Sequence, residues 1–312
     1  MSVASPWIEK WFGAWDLVSR RLLDLPNAPA PQIVFFDSTC VYTTSPVAAH
    51  GTPTVSGPKL RGAKLPWHVV AHGGSITLPD SSTTTVQLMS FASSTERTGP
   101  FFVMCAPQVW QSVGHPDDNP GLAVFIHEFS HTRQTSGFAD RIGPIDKSWP
   151  FKEPLDDDVV QKHFGADSVY VAAYLAERDL LYKAAAAPTV EEARTIAKQA
   201  LEMMRARHAK YFTGDNAMFA TLDDVWLCME GVGQWDAYAW LSHPEGGKME
   251  RDAAIKKMVG RGRWWTQDEG LALILAVDRL MPGWPKDEFH VPALGATDLL
   301  EKAVGENHAE AH

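Results

Sequence analysis

At 312 residues the chain is long enough for one large domain or two modest ones. Apolar residues at 45% and charged residues at 21% are the proportions of an ordinary globular protein, and the formal net charge of −10 argues against a nucleic-acid or anionic-membrane partner. No apolar run reaches the ~18 residues of an integral membrane segment, and three scattered cysteines (Cys40, Cys105, Cys228) exclude a disulfide framework. They leave room for one bridge, Cys40 to Cys105, with buried free thiols as the favoured reading.

In chain order, residues 6–25 read as a helix, with Trp7, Trp11, Trp15, Val18 and Leu22 at helical spacing. Arg20 and Arg21 are too few basic groups for a membrane-surface helix, so packing on the domain surface is expected. No basic head precedes an apolar run, so no signal peptide is read. The expectation is a soluble protein of open compartment: periplasmic or secreted if a precursor was truncated, otherwise cytoplasmic. An extended linker follows at 27–31, rich in Pro and Ala.

Strand-like runs come next, at 33–36, 40–43, 67–71, 75–78, 84–91 and 101–105, separated by Gly, Pro, Asp and Ser clusters. His68 and His72, four apart on a strand, would stand about 13 Å from each other, too far to share a metal. They and His50 are read as surface or satisfied histidines.

The chemistry concentrates in His127-Glu128-Phe129-Ser130-His131. On a helix, residues four apart share a face, so His127 and His131 can aim two imidazoles at one ion. Zn2+ suits imidazole ligands and lowers the pKa of its water toward ~7, and Glu128 is placed to take that water's proton. Asp118 or Asn119 can cap the helix and Pro120 can open it. Leu122, Val124, Phe125, Ile126 and Phe129 make it apolar on nearly all sides, as a central, buried helix would be.

Beyond the motif, 136–154 is rich in Gly and Pro and is expected to be irregular, and Asp156, Asp157 and Asp158 a solvated turn or helix start. Helices are expected at 167–187, 189–212 (with Thr189 and Glu192 as a capping box), 222–241, 244–259, 266–280 and 297–304, then a frayed tail. The order is α+β: N-terminal helix and linker (1–31), a β-rich lobe ending in the motif helix (32–143), and a helical lobe (144–312).

Catalytic zinc takes three protein ligands and keeps one position open. A third histidine six residues after His131 is ruled out by Gly137 there and Gln134 at the glycine position; Glu153, about twenty residues on, is hemmed in by prolines. Two helical glutamates remain, Glu177 and Glu230. Glu230 is preferred, because it lies in an apolar stretch and Gly231 and Gly233 after it signal a close approach. Glu177 is left as an acceptor for a ligand imidazole, or as partner of Arg178 or a later arginine.

His127 to His131 followed by helical Glu230-Gly231 resembles the gluzincin zinc metallopeptidases, thermolysin-like in the broad sense. The resemblance is firm over those two helices, looser over the β-then-α order, and points to a bacterial-type branch. It departs in the long gap from His131 to Glu230, and in Gln234, where that group's pattern has an aspartate behind a zinc histidine; Gln234 or Asp236 would take that work. Asp236, in Gly233-Gln-Trp-Asp236, faintly resembles the aspzincin ligand and competes with Glu230.

The resemblance implies a zincin-like fold, a peptide or protein substrate, and hydrolysis with Glu128 as general base. Tyr238 is the candidate oxyanion donor, with Tyr174 and His243 behind it. It also implies that an edge strand near the motif helix, here 101–107, pairs with extended substrate; an interior strand is the competing assignment. The alternative function is a zincin-fold metal-binding protein without peptidase activity.

Overall fold

The computed structural model describes residues 6–112, 118–152, 154–259 and 263–305, the side chains of Ser112, Asp118 and Asn119 excepted. The chain forms two compact units, one from Met1–Thr135 and Asp236–Ala254, the other from Ser136–Trp235 and Ile255–His312. The fold is α+β.

In the first unit α1 (Pro6–Asp16) runs into a π-helical turn at Leu17–Leu22. Five strands form a mixed sheet: β1 (Gln32–Phe36), β2 (Cys40–Thr43), β3 (His68–Ala71), β6 (Ser90–Thr95) and β7 (Gly99–Cys105), in the order β3-β2-β1-β7-β6. β1 and β7 are parallel, with Phe35 opposite Met104, and β6 runs antiparallel to β7. A separate hairpin pairs β4 (Ser75–Thr77) with β5 (Thr83–Thr85).

Alternation along the strands sends side chains to two faces, and both are buried. Val34, Phe36, Phe101, Val103 and Cys105 pack with Ile76 and Leu78, and with Val109 and Trp110 of the short helix α2 (Pro107–Ser112). Phe35 and Phe102 turn the other way, toward α1 and α3 (Asp118–Lys147). There Trp11 stacks on Phe125 at 5.0 Å, and Trp15 meets Phe129 edge-on at 5.3 Å. Trp11 and Trp15 are each 1% exposed while Glu9, Lys10 and Gly13 on the other face are exposed, so α1 packs on the domain surface through its tryptophan stripe, as its spacing predicts. The sheet and α3 bury that stripe, with Trp11 against both Phe35 and Phe125.

The structure corrects two expectations and decides between two alternatives for a third element. Residues 84–91 are not one strand: β5 ends at Thr85 and β6 begins at Ser90. The 101–105 strand is interior, flanked by β1 and β6, so the edge near the motif helix is β6. Of the stretch 136–154 predicted irregular, 136–147 is helix, since α3 continues through Gly137, Gly143 and Pro144 to Lys147, while residues 148–152 are irregular as expected. A helix-interior proline costs ~3 kcal/mol, and packing offsets it: Phe138 is fully buried, and the Gly137 carbonyl accepts the Ala293 N–H at 3.1 Å. Gly137 is required there, because a Cβ would stand 2.9 Å from the His290 carbonyl oxygen.

The second unit is helical. It contains α4 (Val159–Phe164), α5 (Ser168–Ala186), α6 (Val190–Tyr211), α9 (Trp265–Leu280), α10 (Pro285–Glu288) and α11 (Ala296–Gly305), with most of α7 (Met218–Ser242). α8 (Arg251–Met258) spans the last boundary between the units. Asp167 caps α5 through the Val169 and Tyr170 N–H groups, and Thr189 caps α6 through Glu192, as the capping box predicts. α7 and α9 cross at two glycines: a Cβ on Gly231 would lie 2.4 Å from the Gly270 carbonyl oxygen. The close approach signalled by Gly231 is therefore α9.

The three acidic residues before α4 are half-buried rather than solvated. Burial, with Glu230 and Asp158 adding to it, pushes the Asp157 carboxyl up to about 7, and burial pushes Asp158 up to about 6. All three cysteines are free thiols. Among the described residues no helix is long and apolar enough to cross a membrane. Glu153 and the predicted frayed tail from 306 onward lie outside the described residues.

Candidate metal centre

α3 carries the motif across the floor of the aromatic layer. Phe125 and Phe129 anchor one side of the helix, each at most 1% exposed. His127 and His131 are 5% and 6% exposed, and the ligand atoms of His127, Glu128 and His131 all lie within 4.8 Å of one another.

The two Nε2 atoms are 3.2 Å apart. Two nitrogens at 2.0–2.1 Å from one tetrahedral ion stand roughly 3.3–3.4 Å apart. The pair therefore has the spacing of two ligands on one ion. The His131 Nδ1–H donates to Gln134 Oε1 at 2.9 Å, which leaves Nε2 as the bare nitrogen a metal needs. Gln134 is fully buried, and its Nε2 has no hydrogen-bond partner among the described residues. The donor set, two imidazoles and a carboxylate, fits a divalent metal ion.

Glu128 is half-buried and accepts a hydrogen bond from Ser90 Oγ at 3.3 Å. Ser90 opens β6, so the carboxylate sits beside the edge strand. Ser130, on the buried side of α3, donates to Asp236 Oδ2 at 2.6 Å. Asp236 is fully buried, and burial pushes its carboxyl up to about 8 against the Ser130 hydroxyl and the His131 charge. Asp236 thus braces the motif helix through Ser130.

The remaining sequence candidates are placed as follows. Tyr238 is half-buried in the first unit, on the turn of α7 after Asp236. Glu230, on the same helix in the second unit, is 5% exposed and accepts Gln267 Nε2 at 3.2 Å. Gln267 Oε1 in turn accepts Gln234 Nε2 at 2.7 Å. Glu177 takes a later arginine: Arg207 Nε donates to it at 2.8 Å. Arg207 also holds Asp223 at 3.0 Å and the Tyr170 hydroxyl at 2.7 Å, a buried charge cluster that the His208 imidazole joins through Asp223 at 2.8 Å. Arg178 bonds Asp179 and Asp268 instead.

Tyr174 gives its hydroxyl to the Trp265 carbonyl at 3.3 Å and stacks on that ring at 4.5 Å, as a core residue does. His243 Nδ1 accepts the Glu245 N–H at 3.0 Å. His50, His68 and His72 bond Thr77 Oγ1, the Thr52 carbonyl and the Asp37 carbonyl, as satisfied histidines should.

Three contacts of the site were missed from the sequence: Gln134, Ser90 and Ser130. Gln134 carries a signal, since three residues after a helical ligand is within reach of its ring. Ser90 lies 38 residues upstream, and nothing in its neighbourhood marks it.

No protein-family model matches the chain, and no curated protein or solved structure matches it.

Proposed function

We propose that the chain is a zinc-dependent metallopeptidase of zincin-like fold. The observation that carries this is the 3.2 Å separation of the His127 and His131 Nε2 atoms on a buried helix, with Glu128 in the same cluster. Nothing in a purely structural helix calls for two buried imidazoles with their nitrogens turned together. When bound, zinc would lower the pKa of its water and polarise a substrate carbonyl.

The protein's own groups do the rest. Glu128 takes a proton as general base and returns it to the leaving amine, and the Ser90 hydroxyl holds the carboxylate in place. Gln134 fixes the tautomer of His131. In this proposal Tyr238, in the same unit as the motif, donates to the developing oxyanion. β6, the edge strand that carries Ser90, takes extended peptide by strand addition, since the 101–105 strand lies in the sheet interior.

The test is digestion of a peptide mixture followed by mass spectrometry. Cleavage that stops with a chelator and returns with zinc supports peptidase activity. Stoichiometric zinc without any cleavage would instead favour a metal-binding protein with no hydrolytic role.

A further inference from the structure

Behind the motif helix, away from the imidazoles, the first unit contains a cavity of about 210 Å³ of mixed apolar and charged lining. Trp15, Pro29, Leu60 and Phe129 wall it, and Arg61 and Arg133 put two guanidiniums into its lining. The volume is below the ~300–1,000 Å³ typical of sites for drug-sized ligands, so its occupant is small.

The arginines are poorly neutralised. Arg61 donates to the Leu25 and Pro26 carbonyls at 3.0 and 3.3 Å, and Arg133 donates to the same Pro26 carbonyl at 3.3 Å. Both cations thus converge on one neutral acceptor. Among the described residues, the carboxylate paired with either is Asp16, 4.0 Å from Arg61 Nε, and Asp16 also takes Arg20. Arg61 Nε is buried and has no hydrogen-bond partner among the described residues. Burial, then the Arg61 charge, holds the Arg133 guanidinium below its usual pKa. Arg61 is also held at φ 49°, a left-handed conformation that costs a non-glycine residue ~1–2 kcal/mol.

Two like charges brought together in a half-buried cavity are unfavourable without an anion. Guanidinium forks match the geometry of carboxylate and phosphate oxygens. The aromatic and proline walls suit an organic body beside the charge.

We propose that this cavity binds a small organic dianion, a phosphate monoester or a dicarboxylate, clamped between Arg61 and Arg133. Three probes test it: inorganic phosphate, phenyl phosphate and succinate. Each is titrated calorimetrically and by thermal melting against sodium chloride of matched ionic strength. At least one should bind saturably by about 10 mM and raise the melting temperature. Arg61→Gln and Arg133→Gln should each weaken that binding about tenfold or more, as loss of a charged fork does. Without ligand, Arg133→Gln should melt no lower than wild type, because it removes a repulsion.

Absence of binding by all three probes would overturn the proposal, as would binding that survives in the double variant. An Arg133→Gln protein melting several degrees lower without ligand would make the arginines clamps on the Pro26 carbonyl and refute it equally.

Discussion

Replacing Gln134 with leucine isolates what holds His131 in its ligand tautomer. The wild-type contact is a 2.9 Å hydrogen bond from His131 Nδ1–H to a fully buried amide oxygen. Leucine keeps the approximate volume and removes the acceptor. The ring N–H is then buried without a partner, which costs ~1–3 kcal/mol, and the ring is free to present a protonated Nε2 to the metal. The unpartnered Gln134 Nε2 disappears with the substitution, so part of the folding cost is recovered. Loss of such an outer partner lowers metal affinity 10–100-fold, or ~1.4–2.7 kcal/mol. The assay is competition for zinc against a chromophoric chelator, with the melting curve of the metal-free protein measured in parallel. A loss of affinity in that range, with the metal-free melting temperature little changed, is expected. Unchanged zinc affinity in Gln134→Leu would refute the tautomer argument.

Four further outcomes are expected. X-ray absorption of the zinc-loaded protein should show two imidazoles at ~2.0–2.1 Å, and His127→Ala should remove one of them. Arg207→Met should lower stability to urea by ~3–5 kcal/mol, because it strands Glu177 and Asp223 in the core; a loss under ~1 kcal/mol would contradict the importance of the ion cluster. Gly231→Ala should destabilise by ~2 kcal/mol or more in the same assay, since its Cβ meets the Gly270 carbonyl oxygen of α9. Finally, burial pushes the fully buried Glu288 carboxyl from 4.5 up to about 8. Its folded pKa exceeds its unfolded one, so the folded state binds the extra proton between those values, and stability falls as pH rises from ~4.5 to ~8. Glu288→Gln should flatten that part of the urea-stability profile and stabilise the protein at pH 8 by a few kcal/mol; an unchanged slope would contradict the assignment.

How far the sequence could be read depends on the range of the forces involved. The helical repeat alone put His127 and His131 on one face, and the capping box at Thr189 set the start of α6, because both are local. The sequence ends the motif helix near residue 136 because Gly137, Gly143 and Pro144 weaken a helix locally, whereas the packing against Gly137 comes from residues 290–293, far along the chain. The interior place of β7 depends on its parallel pairing with β1, some seventy residues earlier, and no local pattern reports that. Gly231 marks a point of close approach in the sequence, but only the fold names Gly270 as what approaches. The acidic triplet at Asp156 carried no mark of burial, because the groups that cover Asp157, Glu230 among them, are remote in sequence.

The most direct test of zinc hydrolysis by this site is the Glu128→Gln variant, loaded with zinc and assayed on a peptide that the wild type cleaves. The variant should retain one zinc per chain while hydrolysis falls by ~10²–10⁴ or more, as expected when the general base is removed and the ligands stay. A zinc-loaded Glu128→Gln protein that cleaves at the wild-type rate would contradict the assignment of Glu128.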